Sequence, residues 1–294
     1  VTTTNAEALG ALRAALDIEG LSAALDRFLA EANVPLRALT RARALAALER
    51  RLARDVARVF GLQQRALLRR LAPLRSDFPS PMREAVGLAD LERVLDAVFA
   101  ATRRLFVRAL QPVAERAVQA GADAALADVG VATSFSLKHP RAVAFLRDYG
   151  AERVTLIDAT TREQLRAILV RATDEGWAYG RTSKAIADYF ISLRAEPPSR
   201  EEGKAIRSRA RLIAVTEVGE AYSHGSLLAA QALADEGLTV EKSWLTAGDQ
   251  RVSDLCRGNA AAGWIAVDAA FPSGHLRPLG HPSCRCALLS RVAP

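Results

Sequence analysis

The sequence is short of the residues from which fixed sites are usually built. It has three cysteines, four histidines, one methionine and 5% aromatics among 294 residues. So few cysteines in so long a chain do not make a secreted disulfide framework, and a reducing compartment during synthesis is expected. No apolar run approaches the roughly 20 residues that a membrane-spanning helix needs, so no membrane role is expected. A Gly-x-Ser-x-Gly nucleophile turn, a phosphate-binding Walker loop and a His-Glu-x-x-His metal helix are all missing, which removes the commonest hydrolase and nucleotide chemistries. Acid is also scarce in one place. Residues 37–75 carry eleven arginines against Glu49 and Asp55 alone.

What is present is mostly Ala, Leu and Arg in helical periodicity. Half of the residues are apolar and a quarter charged, as in ordinary soluble proteins, and the length suits one large or two modest domains. Leu9, Leu12, Leu16, Leu21, Leu25, Phe28 and Leu29 recur at helical spacing over 6–32, and Asn33-Val34-Pro35 predicts a break. A long helix is predicted over 36–72. One face carries Leu45, Leu48, Leu52, Val56, Val59, Leu67 and Leu71, with Gln63 in the same line. Arg43, Arg50, Arg54, Arg58, Arg65 and Arg69 fall opposite as one stripe. A merely solvated face usually mixes signs, with acids four residues away. Residues 1–150 hold 22 basic against 16 acidic side chains, and residues 151–294 hold 18 against 17. The asymmetry points to a polyanion or an acidic protein surface as partner of the N-terminal half, the alternative being a solvated face.

Pro73–Pro81 predicts a linker, and a second long helix is predicted over 82–126, nicked at Pro112 and Gly121; together the two suggest a helical hairpin. Lys138-His139-Pro140 and Asp148-Tyr149-Gly150 are turn-like, and Arg153-Val154-Thr155-Leu156-Ile157 reads as a short strand. Thr160 or Thr161 is the expected cap of a helix ending near Gly176, and Gly180 opens another. Pro197-Pro198-Ser199-Arg200 predicts a break. A long helix follows to about Asp235, then strands at Val240–Leu245 and Cys284–Leu289. The fold class expected is mostly α with a small α+β C-terminal domain, divided as a helical region over 1–130 and a mixed domain over 131–294.

Every cysteine lies near the C-terminus. In a strand Cys284 and Cys286 share a face, His281 can swing in from the turn before them, and Cys256 is the fourth member of a three-thiolate, one-imidazole set suited to zinc. The alternatives are three buried thiols or one disulfide, with His281 a turn histidine bonded to backbone. Asp249 and Arg251 sit in one turn after Trp244, as an ion pair or cap would. Glu217 lies among apolar neighbours and needs a partner, with Arg251 one candidate. A rival reading makes Glu217, Asp249 and His281 the acid/base set of a metal-assisted hydrolase or toxin-like effector.

Arg-x-x-x-x-Thr-Glu at Arg211–Glu217, Trp244-x-x-x-x-Asp249-x-Arg251 with Cys256 beyond it, and His281-Pro282-x-Cys284-Arg285-Cys286 resemble, in this order, the phage minor head proteins of the Mu F-like class, also called phage head morphogenesis proteins. Asp158–Leu165 resembles the segment leading into that domain, and the likeness covers about residues 150–290. Where family members often carry a first cysteine after the Asp-x-Arg, this chain has Ser253. The resemblance implies a low-copy structural component of the virion, present in the host cytoplasm during assembly. It would act in head morphogenesis and DNA packaging or ejection by contact with portal protein, major capsid protein or double-stranded DNA, or by self-association, with no catalytic activity attached. Val1 reads as a GTG start and Val1–Ala6 shows no secretory leader, so a full-length bacterial or phage product is expected.

Overall fold

A computed structural model of the chain describes residues 18–72, 88–194, 209–282 and 284–293. The expected linker at Pro73–Pro81, the break at Pro197–Arg200 and the start of the first helix lie outside them. The fold is mostly α, with a small three-stranded antiparallel sheet near the C-terminus. The helices are α1 (Ile18–Leu71), α2 (Leu88–Asp128), α3 (Pro140–Asp174), α4 (Tyr179–Arg194) and α5 (Arg209–Asp235). Strand β1 (Val240–Leu245), helix α6 (Asp254–Ala261), and strands β2 (Ile265–Ala266) and β3 (Ala287–Val292) complete the chain.

Helix α1 is continuous for 54 residues and runs through Asn33-Val34-Pro35, so the predicted break there is not formed. A proline inside a helix forfeits one ladder bond and costs about 3 kcal/mol, and the Ala-, Leu- and Arg-rich turns on either side favour continuing the helix. From Arg41 onward the helix divides by face as its periodicity predicts. Leu45, Leu52, Val56, Val59, Phe60, Leu67 and Leu71 are buried, each full burial contributing about 2 kcal/mol. Against them lies α2, with Phe60 meeting Phe106 edge-on at 5.6 Å. Gln63 is also buried and donates to Thr102 Oγ1 at 3.1 Å and to Asp158 at 3.3 Å. Rising numbers on α1 meet falling numbers on α2, which makes the pair an antiparallel hairpin. Helix α2 carries Pro112 and Gly121 without interruption.

Gly121 has a packing role. A Cβ there would lie 1.9 Å from the Tyr222 carbonyl oxygen of α5, and one at Gly225 would lie 2.0 Å from that of Val118. Two glycines thus let the backbones of α2 and α5 touch, and Ser226 Oγ donates across the crossing to Gly121 O at 3.0 Å.

Helix α3 corrects three local expectations. Lys138-His139-Pro140 is the expected turn and leads into it, with His139 N donating to Ser136 O at 2.9 Å, His139 Nδ1 accepting from Arg141 N and Pro140 in the first turn. Asp148-Tyr149-Gly150 and the supposed strand Arg153–Ile157 are helical, and Thr160 and Thr161 sit mid-helix, donating back to Leu156 O and Ile157 O. Val154, Ile157, Thr161, Leu165 and Leu169 are all buried. Their three- and four-residue spacing is a helical stripe, and burying it outweighs the modest β preference of Val, Thr and Ile.

In the sheet, β1 is central, paired antiparallel with β2 and with β3, the latter from Val240↔Val292 to Leu245↔Ala287. The third strand therefore begins at Ala287, and Cys284–Cys286 is the extended run feeding it rather than part of it. One apolar core joins residues of α1 to α5; a second gathers Leu227 and Ala230 of α5 with Val240, Trp244, Val267, Phe271, Leu288 and the three cysteines. Helix α5 serves both.

Candidate functional site

The second core is organised around Trp244, 2% exposed, which meets Phe271 edge-on at 5.1 Å. Beyond β1 the chain turns at Gly248, whose φ of +70° suits glycine. The Asp249 carboxylate then accepts from Arg251 N at 3.0 Å, from the Arg251 guanidinium at 3.2 Å and from Arg285 at 2.6 Å. The Arg285 bond first, with the Arg251 bonds, holds the Asp249 pKa well below the usual carboxylate range. Asp249 thereby ties the turn after β1 to the cysteine run before β3. Arg251 is spent on this turn and is not the partner of Glu217.

Ser253 caps α6, its hydroxyl accepting from Cys256 N at 3.3 Å. Serine is a residue suited to starting the helix. One turn into α6, Cys256 faces inward. Its sulfur lies 3.7 Å from that of Cys284, and the sulfurs of Cys256, Cys284 and Cys286 all fall within 4.8 Å of one another. All three residues are buried and none is in a disulfide. The Cys286 thiol bonds to the Cys284 sulfur, which also receives the N–H groups of Cys286 and Gly280; these hold the Cys284 pKa down to about 5. The same bond, with burial, pushes the Cys286 thiol up, and burial raises Cys256. Gly280 lets the loop come this close, since a Cβ there would meet Leu255 Cδ2 at 2.4 Å.

His281 stands apart from the sulfurs. Its Nδ1 lies 3.0 Å from Pro282 O, while its backbone oxygen accepts from Cys284 N at 3.2 Å. The local expectation of a turn histidine describes this position, and the imidazole is outside the three-sulfur group.

Glu217, 8% exposed on α5, accepts a short hydrogen bond from the Tyr149 hydroxyl and lies 3.7 Å from Arg153 Nε. Burial raises its pKa. One turn on, Glu220 accepts from Arg277 at 2.6 Å and Arg153 at 3.4 Å, and His224 stacks on Phe145 with ring centroids 3.7 Å apart. Burial, with Arg277 nearby, takes the His224 pKa down to about 3. This is a polar seam joining α3, α5 and the 277 loop. Glu217, Asp249 and His281 do not converge: among the described residues, the three cysteines are the group of His, Cys, Asp or Glu whose ligand atoms gather within 4.8 Å.

Sequence reasoning missed Arg41, Tyr149, Arg153, Glu220, His224, Lys242 and Arg277. Arg41 leaves the exposed stripe of α1, donates to Arg285 O at 2.9 Å and lies over the Tyr222 ring at 5.1 Å. Lys242 is fully buried in β1 and donates to Leu276 O at 2.8 Å; burial lowers its pKa to about 8. No local signal distinguishes these residues from surface charge.

The matched residues now have a place in the fold. Residues 163–289 match the family of phage Mu protein F like proteins. The Mu F-like span begins within α3, ends in β3, and holds Glu217, Trp244, Asp249, Arg251 and all three cysteines. It points to a protein of phage head morphogenesis, and so to the virion. No curated protein and no solved structure matches the chain. Among the described residues, no helix is long and apolar enough to cross a membrane.

The arginine stripe lies outside the Mu F-like span. Arg43, Arg50, Arg54, Arg58, Arg65 and Arg69 are all exposed. Of the six, Arg58 is the one held in an ion pair among the described residues, 3.0 Å from Asp55. Arg50 and Arg54 also line a cleft of about 320 Å³ with Arg194 and Arg211, floored by Ala53, Ala57 and Ala210.

Proposed function

We propose that this chain is a minor structural component of a tailed-phage head, incorporated during particle assembly by contact with portal or major capsid protein, with α1 turned toward packaged DNA. The Mu F-like match over residues 163–289 carries the reading. The exposed guanidiniums of α1 support its second half. A face with six exposed arginines, one of them ion-paired among the described residues, is suited to a repeating anion such as the phosphate backbone, and the cleft at Arg50, Arg54, Arg194 and Arg211 adds a concave place for phosphate beside it. Such binding reads charge and not base sequence.

The test changes Arg50, Arg54 and Arg58 together to Glu. These side chains are exposed, so stability should stay within about 0.5 kcal/mol. DNA association at low salt should fall by at least about tenfold, and the slope of log affinity against log salt should flatten. Undiminished DNA binding by this variant would turn the stripe over to an acidic protein surface. Failure of the chain to enter particles, or to bind purified portal or capsid protein, would remove the head-component reading itself. No observation favours the hydrolase alternative, since Glu217 and Asp249 are engaged in separate networks.

A further inference from the structure

We infer that Cys256, Cys284 and Cys286 form a three-thiolate site for a thiophilic divalent cation, zinc in the cell. Zinc–sulfur bonds of about 2.3 Å in a tetrahedron place neighbouring sulfurs about 3.8 Å apart. Here the Cys256 and Cys284 sulfurs are 3.7 Å apart, with all three sulfurs inside 4.8 Å. A disulfide needs about 2.05 Å, whereas the observed spacing matches that of ligands around a common centre. The three come from two segments, the first turn of α6 and the run before β3, which the Asp249–Arg285 bond holds together.

The surroundings point the same way. The indole N–H of Trp244 is buried with no hydrogen-bond partner, and Trp244 shares one small core with Cys286. A neutral thiol is a weak acceptor, whereas a metal-bound thiolate accepts such an N–H well. Three thiolates and one dication leave a net negative charge, and the Arg41 guanidinium is placed to offset part of it. Arg41 is part-buried near Cys284 and Cys286, its Nε without a partner while its other end donates to Arg285 O. The fourth position is open to water.

The experiment uses the full chain purified under reducing conditions. Elemental analysis should find one zinc per chain, and cobalt substitution should give the intense near-ultraviolet thiolate-to-metal charge-transfer band. Cys256→Ser, Cys284→Ser and Cys286→Ser should each reduce retained zinc to about a tenth or less after dialysis. Because such variants can fail to fold, the wild-type chain supplies a second readout: all three thiols should resist alkylation until a chelator is added and then react together. Zinc-free protein that binds no cobalt at equimolar concentration would overturn the site. So would thiols that alkylate equally with and without chelator, or a disulfide found by mass spectrometry in the freshly isolated reduced protein. None of these results bears on particle assembly, so the site can fail while the head-component reading stands.

Discussion

Helices α1 to α5 and the segment from β1 to β3 solve the stability problem differently. The helical body buries long stripes of Leu, Val, Phe and Ala, and its tightest contact, between α2 and α5, uses glycines so that backbone meets backbone. The β1–β3 segment has three short strands and a small core, and it depends on directed bonds: Asp249 to Arg285, Lys242 to Leu276 O, Asn259 to Ser273, and the sulfur cluster. Apolar burial tolerates exchange among similar side chains, whereas a directed polar bond fails when either partner is lost. The helical body should therefore forgive conservative substitution and the smaller segment should not. Their joint is α5, which gives Leu228 to one core and Leu227 to the other, together with Arg41 reaching in from α1.

The strongest way to break the comparison is at that joint. Gly225→Ala places a methyl 2.0 Å from the Val118 carbonyl oxygen, a clash with backbone that no rotamer relieves. The expected loss is about 3 kcal/mol, with both cores failing in one transition because α5 belongs to both. Urea unfolding followed by circular dichroism and by tryptophan fluorescence would show it. A variant as stable as the parent would mean that the helices do not cross this closely.

Arg41→Met should separate the two regions at smaller cost. It keeps most of the apolar stem but removes the donor to Arg285 O and the cation over Tyr222, worth about 1–3 kcal/mol. Hydrogen exchange should speed up over residues 284–290 while α2 around Phe106 to Val118 stays protected. Uniform acceleration in both would deny Arg41 a local role.

The mildest effect is a pH dependence at the polar seam. His224 has a folded-state pKa of about 3, below the unfolded value of about 6.5. The unfolded chain therefore binds more protons, so this contribution is present above pH 6.5 and is lost as pH falls toward 3. By pH 6 the loss should be roughly 1 kcal/mol, and His224→Gln should flatten that limb of the stability profile. A parallel acid limb in the variant would assign it to other groups.

Much of this was legible in order along the chain. The face of α1 from Leu45 to Leu71 and the opposing arginines follow from periodicity alone, as do the presence of α2 and α5 and the strand at Val240–Leu245. The Mu F-like motif was legible too, because its residues sit at fixed short spacings. Pro35 and the run Arg153–Ile157 misled for one reason. Each is a local preference of at most a few kcal/mol, and long helices with a buried stripe can absorb it.

By itself, then, the sequence determined that long helices dominate, which faces of them are apolar or basic, and which family its C-terminal part resembles. Only the tertiary structure decided which side chains meet: Glu217 with Tyr149 and Arg153 rather than Arg251, Arg41 with Arg285 O across 244 positions, and Cys256 with Cys284 across 28. Periodicity is set by neighbours three or four residues apart, so it is written in any short window. A contact between distant positions depends on how whole helices pack, and here that rests on two glycines where α2 and α5 cross.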